Sequence, residues 1–283
     1  MDSRTGKKIR LGRLLNPVTG RSVVIAASHG VMSGPPSGLR TRAEIETAFA
    51  HLGAADGVMV SPGMLPLLED FYVGRGRPAA VLHLDWKNHG RKIYTPGSDG
   101  RSEGVLAQLA SLEEVAAAGI DAVMTYLYVG QRDSTLERAE IERNARIVAD
   151  AAKVGVAVII EPRSALEAEG EHALSTEVLS LYCRISADIG ADLVKVVWNG
   201  SVEAFAPVAS TCYAPILVAG GPGGEDEKST LQLAADSIAA GAAGVMFGRR
   251  VFRAERPAAV LDGLRSVVHD DMPVDEALAR LSG

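Results

Sequence analysis

Eight short apolar runs recur along this chain, and stretches with helical patterning separate them. Each run has four to eight residues, is rich in valine, isoleucine, leucine and alanine, and is bounded by glycine, proline or polar residues. Such runs are typical of buried parallel strands. The runs are 22–27, 57–60, 79–84, 122–126, 156–160, 191–198, 215–219 and 244–247. Eight strands that alternate with helices predict an α/β fold, a (β/α)8 TIM barrel.

A doubly wound open sheet is the alternative architecture for this alternation. It is disfavoured because no dinucleotide-binding glycine fingerprint follows the first run. The length of 283 residues suits a one-domain barrel. We therefore assign 1–283 to a single barrel domain, with residues 1–21 as an N-terminal extension.

Composition and charge exclude several classes of partner. The net charge is −6 and no basic block is present, so nucleic-acid binding has no electrostatic footprint. The sequence has no apolar run of about 18 residues, and its first residues lack the apolar core of a signal peptide. The two cysteines, Cys183 and Cys212, suit buried structural roles in a reducing compartment. We expect a cytoplasmic protein without a membrane partner.

The sixth run carries one lysine, Lys195, inside an otherwise apolar strand. Burial disfavours the charged ammonium form, so a lysine in this position needs a partner or a chemical role. One interpretation is a lysine at a strand end that reaches solvent or pairs with a carboxylate. The other is a nucleophile, because a neutral amine attacks a carbonyl carbon and forms a Schiff base.

Further polar residues follow the carboxyl ends of the predicted strands, where barrel active sites lie. They are Ser28, His29, Asp85, Tyr126, Tyr128, Glu161 and Arg163. Glu161 lies one strand from Lys195 and is a candidate general acid/base. The alternative is a carboxylate that only pairs with Arg163 or Lys195. His29 is more typical of a hydrogen-bonded scaffold residue than of a base, and Tyr126 is expected to pack or to line the pocket.

Glycine-rich loops follow the seventh and eighth runs, at Gly220-Gly221 and Gly248-Arg249. In barrels, backbone N–H groups of these two loops and the N-terminus of a short extra helix hold a phosphate group. Ordinary tight turns, which also use glycine, are the alternative. The occurrence of glycine in both loops favours a phosphate-binding site over ordinary turns.

The candidate ligands of a metal centre are His83, Asp85 and His89. Three potential ligands with loose spacing are weak support, so we expect no metal.

With these residues in view, the chain resembles the archaeal-type class I fructose-bisphosphate aldolases. Their wider kin include tagatose-bisphosphate aldolases, aminodideoxyheptulosonate synthases and an autoinducer-processing thiolase. The segments that carry the resemblance are 190–196, 218–222 and 248–252. It implies that Lys195 is the Schiff-base lysine, that Gly220, Gly221, Gly248 and Arg249 form a phosphate cradle, and that the protein is a homo-oligomer.

Two positions depart from the family pattern. Family members commonly have Asp-His-Gly after the first strand, where this chain has Ser28-His29-Gly30. Many have a tyrosine before the Pro-Arg pair after the fifth strand, where this chain has Glu161. A glutamate there is similar to the tagatose-bisphosphate branch.

Our leading hypothesis is a class I aldolase that needs no metal or other cofactor. Lys195 forms an imine with a phosphorylated ketose or dihydroxyacetone phosphate, and Glu161 moves protons. One alternative is a related synthase or transferase of secondary metabolism that uses the same lysine on another acceptor; another is a non-catalytic sugar-phosphate-binding protein. The expected substrate-binding residues are Gly220, Gly221, Gly248, Arg249, Ser28, His29, Arg163 and Tyr126.

Overall fold

The computed structural model describes residues 2–87, 106–165, 171–221 and 226–281. Eight strands in these ranges form a closed barrel of parallel neighbours, which confirms the predicted fold. They are β1 Ser22–Ala26, β2 Gly57–Val60, β3 Ala79–His83, β6 Ala122–Val129, β7 Ala157–Ser164, β8 Leu193–Val197, β9 Ile216–Ala219 and β10 Gly244–Phe247. A separate antiparallel pair consists of β4 Asp85–Lys87 and β5 Leu106–Gln108.

The described helices include one that precedes the first strand and others that follow the barrel strands and cover the outside of the sheet. They are α1 Ser3–Leu14, α2 Gly30–Ser33, α3 Arg42–Phe49, α4 Glu69–Tyr72, α5 Leu112–Ala117, α6 Ser134–Val154, α7 Thr176–Ile189, α8 Val202–Thr211, α9 Glu227–Ala239, α10 Arg249–Phe252, α11 Pro257–Asp270 and α12 Val274–Leu281. Short 3-10 turns occupy Leu65–Leu67 and Glu171–Leu174.

Two segments differ from the sequence-based expectation. The pattern of the sequence itself predicts a helix from about residue 102 to 118. Residues 102–105 lie outside the described residues, Leu106–Gln108 form β5, and α5 begins only at Leu112. The start is fixed by a capping box, in which the Ser111 hydroxyl accepts from the Glu114 N–H and the Glu114 carboxylate accepts from the Ser111 N–H. The fifth predicted strand is longer than its apolar run, because β7 pairs with β6 as far as Ser164. Glu161 and Arg163 therefore lie within the strand.

Alternate residues of the strands face the interior of the barrel. One set, with members on all eight barrel strands, forms a single contact cluster: Val24, Met59, Val81, Met124, Ile159, Leu193, Leu217 and Met246. The residues between them pack with the helices in a second cluster. Because side chains alternate with a period of two, the interior rows continue upward to Ser28, His83, Glu161 and Lys195.

Helix α1 covers the amino end of the barrel. Its Leu14 is fully buried and belongs to the interior cluster. Gly57 leaves room for this side chain, because a Cβ on Gly57 would lie 2.6 Å from Leu14 Cδ1. Two ion pairs fasten the helix to the barrel, Lys7 with Asp192 and Arg13 with Asp121, each at 2.9 Å. Much of the segment predicted as an extension is therefore a structural part of the barrel.

In the described part of the chain, no helix combines the length and the apolar character that a membrane crossing requires.

We predict that Leu14→Ala lowers the free energy of unfolding by about 2–5 kcal/mol, because it opens a cavity in the closed end of the barrel. The matched control is Ile9→Ala on the same helix, where the side chain is 63% exposed. That control should change stability by less than about 0.5 kcal/mol. Urea denaturation followed by circular dichroism measures both, and equal losses in the two variants would contradict the role given to Leu14.

Candidate active site

The centre of the site is a buried ion pair between neighbouring strands. Lys195 Nζ donates a hydrogen bond to Glu161 Oε2 at 2.7 Å, and the two side chains are 9% and 3% exposed. Arg163 Nη1 donates to the other oxygen, Glu161 Oε1, at 3.3 Å. One carboxylate thus holds two cations. Glu161 pairs with both of the cations that the sequence offered as partners, Arg163 and Lys195.

The register of the sheet explains why these side chains meet. Ile159 of β7 is aligned with Leu193 of β8, and both belong to the interior cluster. Two residues further along each strand, Glu161 and Lys195 occupy the next interior positions at the carboxyl end. Two residues beyond Glu161, Arg163 follows on the same face.

The charges around Glu161 keep it ionised in spite of its burial. Burial alone would raise the pKa of this carboxyl group. The charge of Lys195, that of Arg163 and the hydrogen bond from Lys195 outweigh burial and lower the pKa to about 2. At neutral pH the group is therefore a carboxylate.

Ser28 and His83 form a second buried polar pair. Ser28 Oγ lies 2.9 Å from His83 Nδ1, and both residues are buried, at 1% and 0% exposure. Burial, followed by the charge of Lys195, lowers the pKa of His83 to about 3, so its ring is neutral at pH 7. The predicted substrate-binding residue Ser28 is thus brought to the site as the partner of a histidine that the sequence suggested only as a metal ligand.

His29 lies between the loops that follow β1 and β10. Its ring makes an edge contact with Phe252 at 5.6 Å between centroids. Burial and the charges of Lys195 and Arg249 lower the pKa of His29 to about 4. Gly248 packs against this ring, since a Cβ there would lie 2.7 Å from His29 Cε1 and 2.5 Å from Ala26 O. Only glycine fits this position without displacing its neighbours.

The two glycine loops are tied together by arginines from the start of α10. Arg250 Nε donates to Gly220 O, and Arg249 Nη2 donates to Gly221 O at 3.3 Å. Gly221 has a left-handed backbone, with φ +64. The structure therefore brings Gly220, Gly221, Gly248 and Arg249 to the carboxyl end of the barrel, as the sequence predicted.

Tyr126 forms part of the buried wall near His83. Its ring centroid lies 5.6 Å from that of His83, and its hydroxyl donates to Met32 Sδ at 3.0 Å. Lys87 Nζ lies 4.1 Å from the Tyr126 ring centroid and donates to Tyr128 Oη at 2.6 Å. Sequence reasoning missed Lys87, because nothing distinguishes it from the other basic residues of a polar stretch.

Asp85 connects the end of β3 to β6 and to helix α6. Its Oδ2 accepts from Thr125 Oγ1 at 2.7 Å and from the Tyr126 N–H at 2.6 Å, and its Oδ1 pairs with Arg143 at 2.8 Å. His89 lies outside the described residues. Within the described ranges, no group of three or more histidine, cysteine, aspartate or glutamate side chains is arranged to hold a metal ion.

Comparison with known proteins gives consistent results. Residues 23–254 match the model of the DeoC/LacD family aldolases. An uncharacterized aldolase of Saccharolobus solfataricus is 30% identical over 273 residues, which cover 96% of this chain and 98% of that protein. The 2-amino-3,7-dideoxy-D-threo-hept-6-ulosonate synthase of Halobacterium salinarum is 33% identical over 278 residues, 97% of this chain and 96% of that protein.

The fold is similar to that of a solved Schiff-base-forming fructose-1,6-bisphosphate aldolase. The TM-score is 0.76 at 24% identity, and the match covers 93% of this chain and 100% of that chain. The comparisons confirm the expected aldolase family and the barrel architecture.

We predict that Glu161→Gln lowers the free energy of unfolding at pH 7 by about 3–5 kcal/mol, because it leaves buried cations without their carboxylate. The double variant Glu161→Gln/Lys195→Met should recover part of this loss. Urea denaturation of the three proteins measures the effect, and an unchanged single variant would contradict the structural importance of the pair.

The same pair gives stability a defined pH dependence. The pKa of Glu161 is depressed in the folded state, so its contribution is present above the unfolded value of 4.5 and is lost as the pH falls through about 2. The difference in free energy of unfolding between wild type and Glu161→Gln should therefore decrease as the pH falls from 4.5 to about 2. A difference that stays constant down to pH 2 would show that the carboxylate is not the stabilising form.

Proposed function

The chain belongs to the DeoC/LacD family of aldolases, and on this premise we propose that Lys195 forms an imine with a phosphorylated ketose or with dihydroxyacetone phosphate. The observation that carries the proposal is the ion pair of Lys195 and Glu161 inside the barrel. A lysine in this interior row reacts with a small molecule that enters the carboxyl end of the barrel, where barrel enzymes bind their substrates.

The charge of the pair is compatible with imine chemistry. Condensation of the Lys195 ammonium group with a ketone carbonyl gives a protonated imine and one water molecule, and the positive charge stays on nitrogen. The Glu161 carboxylate, which lies 2.7 Å from Nζ, thus has a cationic partner both before and after the reaction. The protonated imine then accepts the electron pair of the breaking carbon–carbon bond.

Glu161 is also in position to move the protons. The nitrogen lone pair is available only when a proton has left Nζ, and Glu161 Oε2 is its hydrogen-bonded acceptor. Once Nζ has lost its proton, the Lys195 charge that lowers the pKa of Glu161 is gone, so Glu161 can hold the proton and return it to the oxygen that leaves as water. In the cleavage direction, the same carboxylate accepts the proton of the substrate hydroxyl that becomes the aldehyde.

The phosphate group of the substrate is assigned to the glycine loops and Arg249. The charges of Lys195 and Arg249 both lower the pKa of His29, so both cations act on the same buried ring. A short phosphorylated ketone can therefore place its carbonyl at Lys195 and its phosphate towards Gly221, Gly248 and Arg249. The similarity to an enzyme that acts on fructose 1,6-bisphosphate supports a phosphorylated substrate.

A carbon–carbon bond-forming synthase is the second candidate. The relative from Halobacterium salinarum is named a synthase, which supports this candidate. Ser28, which stands where aldolases of this type commonly have aspartate, also favours a changed substrate. The same imine would then react with an acceptor other than a sugar aldehyde.

We predict that borohydride traps dihydroxyacetone phosphate as a reduced adduct on Lys195, identified by peptide mass spectrometry, and that EDTA does not prevent it. Lys195→Met should give no adduct, because the amine is lost. Glu161→Gln should slow trapping by about 10²–10⁴-fold, the usual contribution of a general acid/base. The matched control is Lys153→Arg on α6, where the lysine is exposed and pairs with Asp150.

An adduct on another lysine, or none in a folded protein that still binds the ligand by calorimetry, would contradict imine formation at Lys195. In the second case, the non-catalytic sugar-phosphate-binding protein would become the better interpretation.

We further predict that Arg249→Ala raises the dihydroxyacetone phosphate concentration for half-maximal trapping by about 10-fold or more, because a charge-assisted contact to phosphate is lost. Dihydroxyacetone, which has no phosphate, is the control ligand, and its trapping should be unchanged. A parallel loss with both ligands would place Arg249 outside the phosphate site.

A further inference from the structure

We propose that His83 is a substrate-binding residue of this site: its Nε2–H donates a hydrogen bond to an oxygen of the carbonyl compound held at Lys195, and Ser28 positions the ring. This inference rests on the proposed function and adds to it a residue of the binding site and the chemistry that the residue recognises. The ligand group is a hydroxyl or carbonyl oxygen next to the reacting carbon.

The first observation is an unpartnered nitrogen. His83 is fully buried, and its Nε2 has no hydrogen-bond partner in the described structure. A buried polar atom without a partner is unfavourable and rare in native proteins, so it needs an explanation. A ligand oxygen that arrives with the substrate supplies one.

The second observation is the position of the ring. His83 follows Ala79 and Val81 in the interior row of β3, so it faces the same space as Lys195 and Glu161. The His83 ring centroid lies 5.6 Å from that of Tyr126, and Tyr126 is aligned with Glu161 in the pairing of β6 with β7. A ligand bound at Lys195 therefore comes close to His83.

The third observation is the hydrogen bond at the other nitrogen. Ser28 Oγ lies 2.9 Å from His83 Nδ1. When the serine hydroxyl donates to Nδ1, the proton of the neutral ring is on Nε2, which then donates to an oxygen acceptor. An ionised aspartate at position 28 would be an acceptor and not a donor. It would favour the other tautomer, in which the proton is on Nδ1 and Nε2 is an acceptor. Ser28 thereby determines which ligand group His83 recognises.

Two isosteric variants separate substrate binding from a structural role. His83→Asn retains a polar atom near the Nδ1 position and can keep the contact with Ser28, but it lacks the Nε2 group. His83→Gln reaches the Nε2 position and gives up the Nδ1 contact. The measurement is borohydride trapping of dihydroxyacetone phosphate over a range of concentrations, with the melting temperature of each variant recorded.

We expect His83→Asn to raise the half-saturating concentration or lower the trapping rate by about 10-fold, the effect of one lost hydrogen bond, and His83→Gln to stay within about 3-fold of wild type. The reverse order would show that His83 serves only to bond Ser28. Equal trapping by both variants would also overturn the proposal.

Variants of Ser28 keep the test decisive if a His83 variant does not fold. Ser28→Ala removes the group that orients the ring and should weaken trapping, whereas Ser28→Thr retains the hydroxyl and should restore it. Equal trapping by these two variants would exclude the positioning role. If wild type itself gives no adduct, the proposed function fails; if wild type reacts and the variants match it, only the role of His83 fails.

Discussion

The buried carboxylate of Glu161 is the interaction on which the rest of the site depends. Two cations, Lys195 and Arg163, lie in or beside the barrel interior, and a lysine that is 8% exposed is largely removed from water. Removing one member of such a group leaves an uncompensated charge, which costs far more than an exposed ion pair contributes. The pair therefore constrains both stability and chemistry: the charged form of the lysine is held in the interior only while the carboxylate stays ionised beside it.

The apolar packing and the charged site occupy opposite ends of the barrel strands. At the amino end, the interior rows are apolar and are closed by Leu14 of α1, so this part of the core contributes to stability through apolar packing. At the carboxyl end, the same rows continue with Ser28, His83, Glu161 and Lys195. A shift of one residue in any strand would move its polar side chain from the interior to the helix-facing side. The apolar packing below thus fixes the register that brings the charged groups together above.

The features that were predictable from the sequence depend on local signals, whereas those that were not depend on contacts between distant positions. The strands were predictable because a period of two and β-branched runs are local signals, and Lys195 stood out because a lone lysine in such a run is unfavourable. The contact of Ser28 with His83 was not predictable, because it joins positions 55 residues apart and depends on the register of β1 and β3. The predicted start of α5 was wrong, because the prediction followed the helical pattern and did not use the capping box of Ser111 and Glu114.

The electrostatics of the two histidines indicate what kind of ligand completes the site. Burial and nearby cations lower the pKa of His29 to about 4 and of His83 to about 3, so both rings stay neutral beside Lys195. A protonated histidine there would repel the lysine, whereas a neutral ring offers hydrogen bonds without adding charge. The positive charge near these rings is thereby left to Lys195, Arg163, Arg249 and Lys87, and Glu161 is the carboxylate that acts on both rings. An anionic ligand with oxygen atoms near its reacting carbon balances this excess and meets the unpartnered nitrogen of His83. Charge and hydrogen bonding thus favour the same class of ligand, a small phosphorylated carbonyl compound.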